Sequence, residues 1–193
     1  GEIYFAKAHA VRRRAVPTWG VFLNEYEQGG GPLIDIGTHA LDLTLWMMNN
    51  YKPQSVLGQT FKKLGDQTET GNIWGDWDPK EYTVEDSAFG FIQMENGALI
   101  SLESSWAINL AETPEAQTVS CGTKAGADMK DGGLRINGVK YGRQYLEEVN
   151  LSAGGVAFYD GAKADPSLLD AQNWINAIVN DTEVVVKPEQ AYV

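Results

Sequence analysis

The feature that most constrains this chain is residues 33–50, a run of strong helix formers with very little polar surface of its own. Placed on a helix at about 100° per residue, Asp35, His39, Asp42 and Trp46 fall within one narrow stripe. Leu33, Ile36, Ala40, Leu43 and Met47 lie on one flank of it, and Ile34, Leu41, Leu45 and Met48 on the other. A helix so patterned is expected to be buried almost all round, with its ionisable residues inside the protein or lining a cleft. It starts behind Pro32, a residue suited to the first helical position, and is expected to stop at Asn49-Asn50, ahead of Pro53.

The stripe carries chemistry as well as packing. A lone carboxylate on such a helix is costly to bury, but an Asp four positions before a His sets the two side chains one turn apart on one face. Asp35 can then accept a hydrogen bond from one imidazole nitrogen of His39 and fix its tautomer, leaving the other nitrogen to exchange a proton with a hydroxyl. Its place near the helix start also favours the anion, through the positive end of the dipole. Spacing alone equally allows an Asp35 that only caps the first turn and a His39 that is a satisfied core residue. A metal site from Asp35, His39 and Asp42 is disfavoured, because ligands drawn from one helix rarely close a coordination sphere. Gly37 costs a helix about 1 kcal/mol relative to Ala, which implies close approach by a ligand or another backbone.

Around this helix the chain reads mostly as sheet. Residues 3–14, 54–64, 84–94, 98–108, 117–121 and 144–150 are strand-like, and Asn96-Gly97 signals a tight antiparallel hairpin. Asn137-Gly138 signals a second hairpin, between residues 134–136 and 139–141. Asp165 is expected to cap a last amphipathic helix that reaches about Asn180, with Leu168, Ala171, Ile175 and Ile178 on one stripe. Residues 65–82 form a loop long enough to suggest function, and its Trp74 and Trp77 need something to pack on. Two principal helices beside a mainly antiparallel sheet make an α+β architecture, and no linker divides the 193 residues.

Composition excludes several classes of function. A net charge of −11 disfavours nucleic acid and anionic membrane as partners, and no apolar run reaches the roughly 20 residues of a membrane span. The lone Cys121 rules out an internal disulfide framework and suits a cytoplasmic setting. The chain has no initiator Met and opens directly in strand-like sequence, so it is expected to be a piece of a longer protein.

The string Gly29-Gly30-Gly31-Pro32-Leu33-Ile34-Asp35-Ile36-Gly37-Thr38-His39-Ala40-Leu41-Asp42 resembles the GGGxxxDxGxHxxD segment of the Gfo/Idh/MocA oxidoreductases. Residues 1–22, Val84-Glu85-Asp86-Ser87-Ala88 with Glu95-Asn96-Gly97-Ala98, and Pro188-Glu189-Gln190-Ala191 extend the likeness over nearly the whole chain. The resemblance implies the family's C-terminal domain, an open, mainly antiparallel sheet with helices packed on one face, which shapes the substrate site and mediates oligomerisation. It implies His39 as catalytic acid/base, Asp35 as its acidic partner, and a sugar or polyol hydroxyl as the reacting group. NAD or NADP would be bound mainly by an N-terminal Rossmann domain that this chain lacks, since no strand is followed by a GxGxxG turn. The family's Glu-Lys-Pro lysine is also missing, Lys187-Pro188 being preceded by Val186, and so is the helix expected after Ala191. The 193 residues alone are therefore expected to be inactive, and a non-catalytic dimerisation or ligand-binding module is the rival reading.

Weaker candidates surround the pair. Arg12 and Arg14 share a side of the first strand with Ala8 and Ala10 and are candidates for contact with a polar substrate or the cofactor, or else a strand-end charge cluster. Trp19, in the loop that follows, either stacks on a sugar face or caps the core. Trp106 reads as core or oligomer-interface packing, Trp74 and Trp77 as anchors over a neighbouring subunit, and His9 as structural.

Overall fold

A computed structural model describes residues 1–130, 133–149 and 166–193. Its centre is β1 (Ile3–Val11), where Ala6, Ala8 and Ala10 alternate onto one face and are completely buried. Around it the described strands form one open sheet in the order β2-β3-β4-β1-β5-β6-β7-β8. The other strands are β2 (Pro53–Phe61), β3 (Ser87–Met94), β4 (Leu99–Ser105), β5 (Gln117–Gly122), β6 (Ala125–Lys130), β7 (Gly133–Lys140) and β8 (Arg143–Val149). Every neighbouring pair is antiparallel except β1 with β4, which is parallel. The expected α+β fold with a mainly antiparallel sheet is the one observed, and β6 adds a strand that the pattern had not separated.

The β3–β4 hairpin turns through Glu95-Asn96-Gly97, with Gly97 in left-handed backbone at φ +85° and its N–H donating to the Met94 carbonyl at 2.9 Å. The second expected hairpin is displaced. β7 runs straight through Asn137-Gly138, and the turn into β8 is made by Tyr141 (φ 54°) and Gly142 (φ 71°). A two-residue turn needs left-handed backbone at both centres, and Gly142 supplies one of them, whereas Gly138 is used for the space its missing Cβ leaves, 3.2 Å from the Tyr145 ring.

One face of the sheet is covered. Past the short α1 (Glu25–Gln28), α2 (Thr38–Met48) lies across β1 and β5, where the small Ala6, Ala8 and Ala10 side chains admit it closely. Ile36, Ala40 and Leu45 are buried there, and Thr44 Oγ1 donates to the Ala40 carbonyl at 2.7 Å and pairs with Thr118 Oγ1 of β5 at 2.8 Å. The helix is not buried all round, however. His39, Asp42 and Trp46 are exposed, because the sheet reaches only the opposite side of the cylinder. α3 (Pro166–Asn180) buries Ala177 but leaves Leu168, Ile175 and Ile178 exposed, and the cap expected at residue 165 lies outside the described residues.

Directly paired residues of neighbouring strands share a face, so the register places Phe5, Lys7 and His9 with Leu99, Ser101 and Glu103, and next to these Phe91 and Leu57, on the other side of the sheet. No described helix covers this side, and Leu57 and Phe91 are 76% and 49% exposed. His9 is largely buried here without a hydrogen bond to Nε2, and Glu103 Oε1 at 3.7 Å is too distant to supply one. Burial pulls its imidazole below the usual range, against the opposing pull of Glu103 and with the help of Lys7.

The long loop is ordered by its tryptophans, in different ways. Trp77 is buried within its own chain, donating Nε1–H to the Gly65 carbonyl at 3.0 Å and meeting Tyr82 edge-to-face. It therefore does not reach over a neighbouring subunit.

Candidate active site

The site begins with how its helix is anchored. Before α2, Leu33–Gly37 form a π-helical turn, in which the Thr38 N–H donates to the Leu33 carbonyl. The amides ahead of it are held by Glu85, whose carboxylate accepts from Gly31 N at 2.8 Å and Leu33 N at 3.2 Å. An anion there complements the unsatisfied N–H groups of the helix start. Gly31 is required at this point, because a Cβ would collide with the Glu85 carbonyl. Asp86, almost fully buried, ties down the next segment by accepting from Lys63, Leu64 and Gly65 amides at 2.6, 2.6 and 3.1 Å. The adjacent acids of Val84-Glu85-Asp86 thus serve as two separate backbone clamps.

β4 approaches from below. Ser104 Oγ donates to the Pro32 carbonyl at 2.7 Å, and a Cβ on Gly37 would stand 3.0 Å from that Oγ. Close approach does explain Gly37, and what approaches is the Ser104 side chain. Just beyond the end of β4, Trp106 is completely buried and its Nε1–H donates to Asp35 Oδ2 at 2.9 Å. The expected Asp35–His39 hydrogen bond is thus replaced by one from Trp106. The physical reason lies in the π turn: its i→i+5 ladder widens the helix where Asp35 sits, so ideal α-helical spacing does not hold between Asp35 and His39. Asp35 is half-buried and fixed by the indole, and His39 is exposed at the start of α2. The sequence held one signal for Trp106: a buried indole N–H needs an acceptor.

Arg12, Arg14 and Trp19 lie around the loop after β1. β1 ends at Val11, so Arg12 and Arg14 lie beyond the strand and the side expected to be shared with Ala8 and Ala10 does not extend to them. Arg12 pairs with Glu115, its Nε–H donating to Oε1 at 2.7 Å, while its guanidinium lies 5.3 Å from the centroid of Trp74. Arg14 donates to Asn109 Oδ1 at 2.6 Å and to the Arg13 carbonyl at 2.7 Å. Trp19, 52% exposed, meets Trp74 and Phe22 edge-to-face, and Phe22 in turn meets Trp106.

An apolar groove of about 530 Å³ runs between α2 and strands β2 and β3, walled by Leu41, Leu45, Val56, Ile92 and Leu102. None of its lining side chains is ionisable, and Asp35 and His39 lie outside it. No cluster of three His, Cys, Asp or Glu side chains fit to hold a metal ion occurs among the described residues, and no described helix is long and apolar enough to cross a membrane.

Residues 1–128 match the family model of the GFO/IDH/MocA C-terminal domain. The chain is 47% identical over 129 residues to D-glucoside 3-dehydrogenase of Escherichia coli (strain K12), an alignment covering 67% of this chain and 36% of that enzyme. Among solved structures, levoglucosan dehydrogenase in complex with NADH and L-sorbose superposes with a TM-score of 0.74 at 15% identity, over 100% of this chain and 53% of that one. UDP-N-acetylglucosamine 3-dehydrogenase from Acidithiobacillus ferrooxidans gives 0.65 at 18% identity, over 99% and 50%. At such identities the structural likeness is one of fold. The chain spans about a third of the length of the curated relative and about half of the solved chains.

Proposed function

The chain belongs to the GFO/IDH/MocA C-terminal domain family, and from that premise we propose that it is the substrate-binding, acid/base half of an NAD(P)-dependent dehydrogenase acting on a sugar or polyol hydroxyl. The observation that carries this reading is the carboxylate of Asp35, pinned by the Trp106 indole in the π turn that leads into α2, where His39 is exposed. The names of the glucoside, levoglucosan and UDP-N-acetylglucosamine dehydrogenases support a carbohydrate substrate, and the NADH complex supports a nicotinamide.

In the oxidative direction His39 takes the proton of the hydroxyl while the carbon bearing it gives up hydride, and in the reductive direction it returns that proton. Asp35 holds negative charge beside the imidazolium that forms, and Trp106 keeps that charge in place. Arg12, Arg14 and Trp19 serve as substrate contacts on the neighbouring loop. The nicotinamide, when bound, accepts or donates the hydride. This chain has no Gly-rich strand-to-helix turn for a pyrophosphate, so the dinucleotide is held mainly by a nucleotide-binding domain outside it. The exposed stripe of His39, Asp42 and Trp46 leaves room for such a domain against α2.

Self-association through the open face is part of the same proposal, supported by the exposed Leu57 and Phe91. The free Cys121 supports a cytoplasmic setting. The test uses the full-length protein, with sugars, polyols and glucosides screened against NAD and NADP. His39→Ala should lower kcat by about 10²–10⁴-fold. Trp106→Phe, which keeps the ring but removes the N–H, should lower it about tenfold with KM little changed. An unaltered kcat in His39→Ala would leave the non-catalytic binding module as the better reading.

A further inference from the structure

The tryptophans of two loops, 55 positions apart in sequence, are brought together at the surface beside the candidate site. Trp19 and Trp74 meet at 5.1 Å between ring centroids with their planes at 72°, so they form a corner, and both remain substantially exposed at 52% and 41%. Large apolar rings left in water with so much of their surface free are costly unless something covers them.

The corner is built rather than incidental. Thr18 Oγ1 donates to the Trp74 carbonyl at 2.8 Å. Asn72 joins the loops twice, its Oδ1 accepting from Val16 N at 2.8 Å and its Nδ2 donating to the Val16 carbonyl at 2.9 Å. The Ile73 N–H donates to the Arg14 carbonyl at 3.1 Å. These bonds set Trp74 against Trp19, and Arg12, braced by Glu115, stands over the Trp74 ring. From the corner, ring contacts run inward through Phe22 to Trp106, and so to the carboxylate of Asp35.

We propose that Trp19 and Trp74 form a subsite for a second sugar ring, the residue glycosidically attached to the one whose hydroxyl reacts near Asp35 and His39. A pyranose presents an apolar C–H face that suits an indole and hydroxyls at its rim that suit hydrogen-bonding side chains. The corner offers both, with two aromatic planes and with Arg12 and Thr18 beside them. A protein partner would call for a broader apolar surface than two rings edged with polar groups. The inference rests on the reading of Asp35 and His39 as the reacting centre, and it names what the substrate carries beyond that centre.

The test compares the full-length enzyme and its Trp74→Ala variant on methyl glucoside and on a disaccharide of two glucose units. Loss of one stacking ring should lower kcat/KM for the disaccharide about tenfold, leave methyl glucoside unchanged, and be restored largely by Trp74→Phe. An equal fall on both substrates, or no fall on either, overturns the subsite. Calorimetric binding of the disaccharide gives a readout that needs no turnover. Binding lost in Trp74→Ala by an enzyme that oxidises neither glucoside would support the subsite and sink the reaction. Turnover sensitive to His39→Ala, with disaccharide binding indifferent to Trp74, would do the reverse.

Discussion

The two faces of the central strands solve the same packing problem in opposite ways. On one, Ala6, Ala8 and Ala10 of β1, with Ile100 and Leu102 of β4, are shielded by α2 and its π turn, and each is at most 9% exposed. On the other, Phe5, Lys7 and His9, with Leu99, Ser101 and Glu103, pass to Phe91 and Leu57, and the outer members stand in water. The first face uses small side chains because a helix must come close to it. The second carries large apolar groups together with a His and a Glu that are poorly matched to each other. The covered face holds the helix that carries the candidate pair of Asp35 and His39, and the bare one is the face proposed to receive a second copy.

The contrast can be broken first by substitution at the bare face. Phe91→Glu in the full-length protein should weaken self-association on the order of a hundredfold, read by sedimentation velocity, with secondary structure retained. A wild-type protein that is strictly monomeric at micromolar concentration would remove the second copy from the account. Next in size is Ala8→Leu, which forces three carbons under α2 and should cost about 1–3 kcal/mol in denaturant unfolding. Lys7→Ala, one residue away on the other face, should stay within about 0.5 kcal/mol. Equal costs at the two positions would mean that the faces are not asymmetric.

The smallest effect belongs to His9. Its folded pKa is depressed by burial, so near and below its ordinary 6.5 the unfolded chain binds the proton more readily than the folded one. Its contribution to stability is therefore complete above that pH and declines as the pH falls through 6.5 towards the folded value. His9→Gln should flatten the dependence of the unfolding midpoint over that window. A wild-type midpoint that rises on acidification would reverse the sign and place a formed His9–Glu103 ion pair on this face.

Much of the fold was legible because its signals are local. Asn96-Gly97 lies in the β3–β4 turn, since the left-handed backbone that Gly97 takes up there is a property of that residue itself. Asn137-Gly138 looks identical on paper, yet it is strand, because register with β6 and the ring of Tyr145 decide what that glycine is for. The stripe of Asp35, His39, Asp42 and Trp46 was visible as a periodicity, but its exposure was not. A wheel shows which residues share a side and leaves open which side is covered.

The amino-acid sequence by itself determined that a helix with one polar stripe would start behind a run of glycines and sit beside a mainly antiparallel sheet. It also determined that the stripe would carry an Asp and a His four positions apart. Only the tertiary structure decided that Asp35 would turn to Trp106, 71 positions away, and that Glu85 would hold the helix start. Those partners are chosen by β4 passing under the helix and by a π turn that displaces Asp35 from ideal spacing, and contacts so distant along the chain leave no trace in local periodicity.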